Sequence, residues 1–88
     1  MIANGQIVNT FFGNSDTFGY CIDITYTFNG FSGHYTLFLR QQEKIEKLFE
    51  MLEVKNFNDI KGQYIRIEYV GLKPLKIGHI IKDKWIDL

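Results

Sequence analysis

The chain predicts an α+β domain, an antiparallel five-stranded sheet in the order β-β-β-α-β-β carrying one amphipathic helix. Three observations lead there. From Phe18 to Phe28 the large residues Phe18, Tyr20, Ile22, Ile24, Tyr26 and Phe28 take every second position, the period of a strand with one buried face. Asn29-Gly30 follows, a dipeptide that tolerates the positive φ of a type I′ hairpin turn. Between Gln41 and Val54 the period lengthens, with Ile45, Leu48, Phe49 and Leu52 at i, i+3, i+4 and i+7, one stripe of a helix.

Taken in order, Gly5–Phe12 reads as the first strand, stopped by the turn formers Gly13-Asn14-Ser15-Asp16. Phe18–Phe28 is the second. A loop over Asn29–Gly33 leads to the third, Gly33–Leu39, with Tyr35, Leu37 and Leu39 on one face. The helix Gln41–Val54 has a weak N-cap, since no Ser, Thr, Asp or Asn precedes it. Glu43 and Lys47 are spaced as an i,i+4 pair on its outer side, and Asn56 is the expected left-handed C-cap. Asp59–Gly62 turns the chain into a fourth strand, Gln63–Val70, and Gly71–Pro74 turns it into a fifth, Lys76–Ile81. Trp85 lies in a short extended tail. A small OB-type barrel also fits this order, because there too a helix falls between strands three and four. The open sheet is favoured, since long hairpins with short turns need no barrel closure.

With 88 residues the chain is one domain, 1–88, without a linker. Eight Phe, five Tyr and one Trp exceed what so small a core needs, and interfaces are enriched in these side chains. A homo-oligomer is therefore expected. Ten basic and ten acidic residues cancel, which speaks against nucleic acid as a partner. The charges are unevenly spread, however. No Lys or Arg precedes Arg40, whereas Lys61 to Lys84 holds six basic residues against two acidic ones, a local net of +4.

No run is long and apolar enough for a membrane helix, and the first 20 residues lack the charged and apolar regions of a secretory signal. A reducing cytosol is the expected location.

Catalytic sets are missing. Cys21 stands among strand residues with no base at local spacing, and reads as a small half-buried thiol. Two histidines and one cysteine do not make a metal site. Asp16, Asp23 and Asp59 fall in turns or at strand edges, where a solvated carboxylate is the simpler reading. No cofactor and no enzymatic activity are expected.

Two stretches could bind a ligand. Phe28–Tyr35 combines glycines with the rings of Phe31, His34 and Tyr35. It is either a stacking platform for a base or a hairpin whose aromatics fold back onto the core. The C-terminal hairpin offers Arg66, Lys73, Lys76 and Lys82, which hold phosphates or merely guard a sheet edge. His79 and Trp85 complete the candidate ligand set. Convergence of Tyr35, Arg66 and Lys76 in one pocket would join the two stretches.

The segment Asp59–Glu68, followed by Lys76-Ile77-Gly78-His79-Ile80-Ile81-Lys82-Asp83-Lys84-Trp85, resembles a widespread family of small phage and prophage proteins. The likeness extends to Gly30-Phe31-Ser32-Gly33-His34-Tyr35 and to Leu52-Glu53-Val54, and its most specific part is Lys-Ile-Gly-His…Lys-Asp-Lys-Trp. Ser32 stands where many relatives carry a second glycine, and Phe57 where they often carry Trp. The resemblance implies a phage origin and a counter-defence role, similar to nucleotide sponges that trap a cyclic nucleotide signal without cleaving it. A protein–protein inhibitor of a host defence enzyme is the second expectation, and an OB-like single-strand binder the third.

Overall fold

The computed structural model describes residues 1–17 and 19–88. Phe18, the first large residue of the period-two run, lies outside the described residues. Among the described residues six strands form one antiparallel sheet, one more than the sequence predicts. They are β1 (Ile2–Ser15), β2 (Gly19–Phe28), β3 (Phe31–Phe38), β4 (Tyr64–Val70), β5 (Lys73–His79) and β6 (Trp85–Asp87), in the order β3-β2-β1-β4-β5-β6. The helix α1 (Gln42–Leu52) touches β3 at one edge and β5 and β6 at the other. The sheet thus curls around the helix as a half-barrel, which is compatible with the OB-type alternative.

β1 outruns its expected end because Gly13, Asn14 and Ser15 pair with Cys21, Tyr20 and Gly19. Pairing with a long neighbour here overrides the turn-forming tendency of these residues. The register passes from Ile7↔Tyr26 to Asn9↔Thr25, leaving Val8 as the extra residue of a β-bulge. The bulge changes which residues face inward, from Gly5 and Ile7 before it to Thr10 and Phe12 after it. It also separates two roles of the strand. Ile2–Gln6 pairs with β4, and Gly5 and Gln6 among them pair with β2 as well, whereas beyond Val8 only β2 is paired.

The Asn29-Gly30 turn forms as expected, with φ of 50° and 80°. It is tighter than the predicted loop, because Phe28 already pairs with Phe31, and β3 therefore starts at Phe31 and not Gly33. Tyr26 lies over Gly33, where an added Cβ would come within 2.5 Å of the phenol oxygen. β5 likewise begins at Lys73, earlier than predicted, and ends at His79. Pro74 is tolerated in it because a second bulge, at Leu75, interrupts the ladder beside it.

α1 buries Leu48, Met51 and Leu52, while Ile45 and Phe49 pack at the margin of the core. Its N-terminus has no side-chain cap, as the sequence predicts. Its C-cap is Glu53, left-handed at φ 57°, and the Val54 N–H returns to the Phe49 carbonyl at 3.1 Å. Asn56 is instead extended, and its side chain accepts the Asn58 N–H to cap a short 3₁₀ turn, Phe57–Asp59. The core between sheet and helix is built from Ile7, Ile24, Tyr26, Leu37, Leu48, Ile65, Ile67 and Ile77, all at most 1% exposed. None of the described helices is long and apolar enough to cross a membrane.

Candidate functional site

The basic C-terminal hairpin is largely occupied by its own carboxylate. Glu53, turned by its left-handed backbone at the end of α1, accepts Lys82 Nζ at 2.8 Å and lies 3.4 Å from Lys84 Nζ and 3.3 Å from His79 Nε2. His79 Nδ1 accepts the backbone N–H groups of Ile81 and Lys82, both at 3.0 Å. The ring hydrogen therefore stands on Nε2, facing Glu53. The hydrogen bond from Lys82, joined by the charges of Lys82 and Lys84, outweighs desolvation and holds the Glu53 carboxyl below the ordinary value of 4.5.

A lowered folded-state value adds stability that is present above the unfolded value and lost as pH falls through the folded one. Acid titration should thus cost the wild type stability below about pH 4.5. Glu53→Gln should flatten that part of the profile, as followed by thermal melting at stepped pH. Equal slopes in the two proteins would remove Glu53 from this account.

Arg66 is also engaged internally. Its Nε donates to the His79 carbonyl and its Nη2 to the Lys82 carbonyl, both at 2.7 Å. The guanidinium lies 4.7 Å from the centre of the Trp85 ring, a cation–π contact. Trp85 in turn donates its indole N–H to Asp83 at 2.8 Å. Arg66, Gly78 and Trp85 are register partners across β4, β5 and β6, with the indole lying over Gly78. In the neighbouring row Lys76 stands 4.0 Å from Asp87, and Lys73 is exposed at the start of β5. Arg66, His79 and Lys82, named for a phosphate face, thus make internal contacts. They tie β4, the β5–β6 connection and the helix end together.

The aromatic stretch is split between the two faces of the sheet. Phe31 and Tyr35 share the inward face, with Phe31 6.4 Å from Phe28 between ring centres. His34 lies outside, its Nδ1 3.3 Å from Asp23 and 3.2 Å from Thr25 Oγ1. Thr36 donates to the same Asp23 at 2.7 Å. The three rings accordingly form no common platform. Nor do Tyr35, Arg66 and Lys76 meet, because the last two belong to the outer face.

The curled sheet brings Tyr35 of β3 alongside β6. Tyr35, Trp85, Ile86, Asp87 and Leu88 line a cavity of about 380 Å³ with Lys44 and Lys47, while the Trp85 indole itself lies on the outer face over Gly78 and Arg66. The cavity adjoins a groove of about 890 Å³ between the second half of α1 and the Asp83–Ile86 segment, with Lys47, Trp85 and Ile86 common to both. Burial raises the Tyr35 phenol above its ordinary value, and the Asp87 carboxylate adds to this, so the ring is neutral. No protein-family model, curated protein or solved structure matches the chain.

Lys44 and Lys47 were not among the sequence-derived candidates. They stand three apart on the helix and so share a face. The predicted Glu43–Lys47 pair is not formed, and among the described residues neither lysine has an ion-pair partner. The signal available in the sequence was their spacing next to an apolar stripe. Nothing in it indicated that β6 would lie alongside.

Proposed function

We propose that the protein is a non-enzymatic binding module for a small anionic ligand with a flat ring system, of the nucleotide class. The observation that carries this is the cavity that Tyr35 and the β6 strand line together with Lys44 and Lys47, lysines with no ion-pair partner among the described residues. Aromatic faces stack on bases without regard to sequence, and a lysine ammonium serves a phosphate as a point charge. The volume lies within the usual span for small-ligand sites, roughly 300–1,000 Å³. A cyclic nucleotide bound intact is the version favoured by the resemblance to phage counter-defence proteins.

The OB-type reading of the half-barrel does not by itself bring in nucleic acid, since a fold hosts many functions. The outer β2–β3 face presents Asp23, Thr25, His34 and Thr36, without the positive track that single-strand grooves use.

Trp85 is the sole tryptophan and belongs to β6, so its emission reports changes in the strand that lines this site. Titration with cyclic dinucleotides and with mononucleotides is expected to change that emission, with the ligand recovered intact after heat release. Lys47→Ala should weaken binding about tenfold, the loss of one charge-assisted contact. An unchanged emission with every nucleotide up to about millimolar, where binding is worth only ~4 kcal/mol, would sink the reading.

A further inference from the structure

We propose that the free edge of β1 beyond its bulge, Val8–Ser15, pairs antiparallel with the same edge of a second copy across a two-fold axis. This does not rest on the ligand reading and uses a different part of the molecule. β4 leaves β1 after Gln6, and no backbone hydrogen bond outside the β1–β2 ladder reaches residues 8–15 among the described residues.

The direction of the unpaired groups follows from strand alternation. The Tyr20 carbonyl receives Leu39 N–H on the β3 side. Alternation therefore turns Cys21, Asp23 and Thr25 toward β1, where they bond Gly13, Phe11 and Asn9. That leaves the N–H and C=O groups of Thr10, Phe12 and Asn14 pointing out of the sheet.

Exposed edges in natural proteins are normally blunted by charges, by proline or by very short strands. Beyond the bulge at Val8 that opens it, this one carries none of these devices. β1 runs for 14 residues without a single charge or proline. An uncharged segment can face itself across a two-fold axis with no like charges opposed, which a self-complementary interface requires.

The side chains beside the edge are apolar. Phe11 is 51% exposed on the outer face, and Phe12 and Tyr20 are 54% and 58% exposed on the inner one. Half of each ring amounts to about 100 Å², so three rings in each of two copies supply about 600 Å². A specific interface buries about 1,000 Å² or more in total, and the strand edges with Val8 contribute toward the remainder. An interface of this size falls at the small end, where association is weak and depends on concentration. Two curled sheets would then run on as one.

Sedimentation of the full chain at rising concentration is expected to show a monomer–dimer equilibrium. Asn9→Lys combined with Phe11→Lys places like charges about the axis and should weaken the dimer at least tenfold, with the far-UV spectrum unchanged. Native-state hydrogen exchange supplies a readout independent of any variant. The amides of Thr10, Phe12 and Asn14 should be protected at high concentration and lose that protection on dilution, while Phe11 and Gly13 stay slow throughout. Three results would overturn the proposal. They are a chain that stays monomeric at tens of micromolar, a dimer indifferent to the two lysines, or an edge that takes up an extended foreign peptide in place of its own copy.

Discussion

Leu48→Ala is expected to cost about 2–5 kcal/mol, the range for emptying a well-packed aliphatic site. Leu48 is 1% exposed and belongs, with Met51 and Leu52, to the stripe that holds α1 to the sheet. The helix lacks a side-chain cap at its start, so its own sequence does little to keep it formed, and tertiary packing has to do so. A domain of this size has only about 4–13 kcal/mol in total. The midpoint of thermal unfolding should therefore fall by roughly 10 °C or more. Lys44→Ala, on the exposed side of the same helix, is the matched control and should leave the midpoint nearly unchanged. A Leu48→Ala protein melting within a few degrees of the wild type would show that the helix is held by something else.

Gly78→Ala should produce the second large loss. A methyl group there would lie 2.5 Å from Cε3 and 2.6 Å from Cδ2 of Trp85, closer than carbon atoms can approach. The ring has to rise, which also breaks its stacking with Arg66. Overpacking of this kind costs about 1–3 kcal/mol, and displacement of the indole should shift its emission even before unfolding. The cause can be isolated with a double-mutant cycle. In a Trp85→Ala background the methyl group meets no ring, so Gly78→Ala should become nearly neutral. A penalty of equal size in both backgrounds would place the strain in the backbone and not at the ring.

The sequence made the local frame legible, because hydrophobic period is a local property. The alternation in β2, the Asn29-Gly30 turn and the helical stripe through Leu48 and Leu52 each follow from neighbours a few residues apart. The α+β class was therefore readable. β6 was not, since three residues around Ile86 carry no period, and only β5 makes them a strand. The site was less legible for the same reason. Charges near one another in the sequence looked like an anion-binding face, but Glu53, from a different element, takes up Lys82, Lys84 and His79. Conversely nothing local linked Tyr35 to the C-terminal strand, and the curl of the sheet puts them along one cavity. Val8 gave no local signal of its bulge, which decides the face that Phe12 presents and the point where β4 departs.

The curl that unites Tyr35, Lys47 and Trp85 has a kinetic consequence. These residues come from the third strand, the helix and the last strand, so the cavity joins parts of the chain about 50 residues apart in sequence. Hairpins such as β1–β2 and β4–β5 close short loops, whereas pairing β1 with β4 and bringing β3 and β6 to the same helix close far longer ones and incur their entropy late. An intermediate with both hairpins formed would hold most of the native secondary structure without a binding site. Recovery of ligand-dependent Trp85 emission during refolding should accordingly lag behind the far-UV signal. If the proposed function holds, binding competence would then be among the last properties this chain acquires.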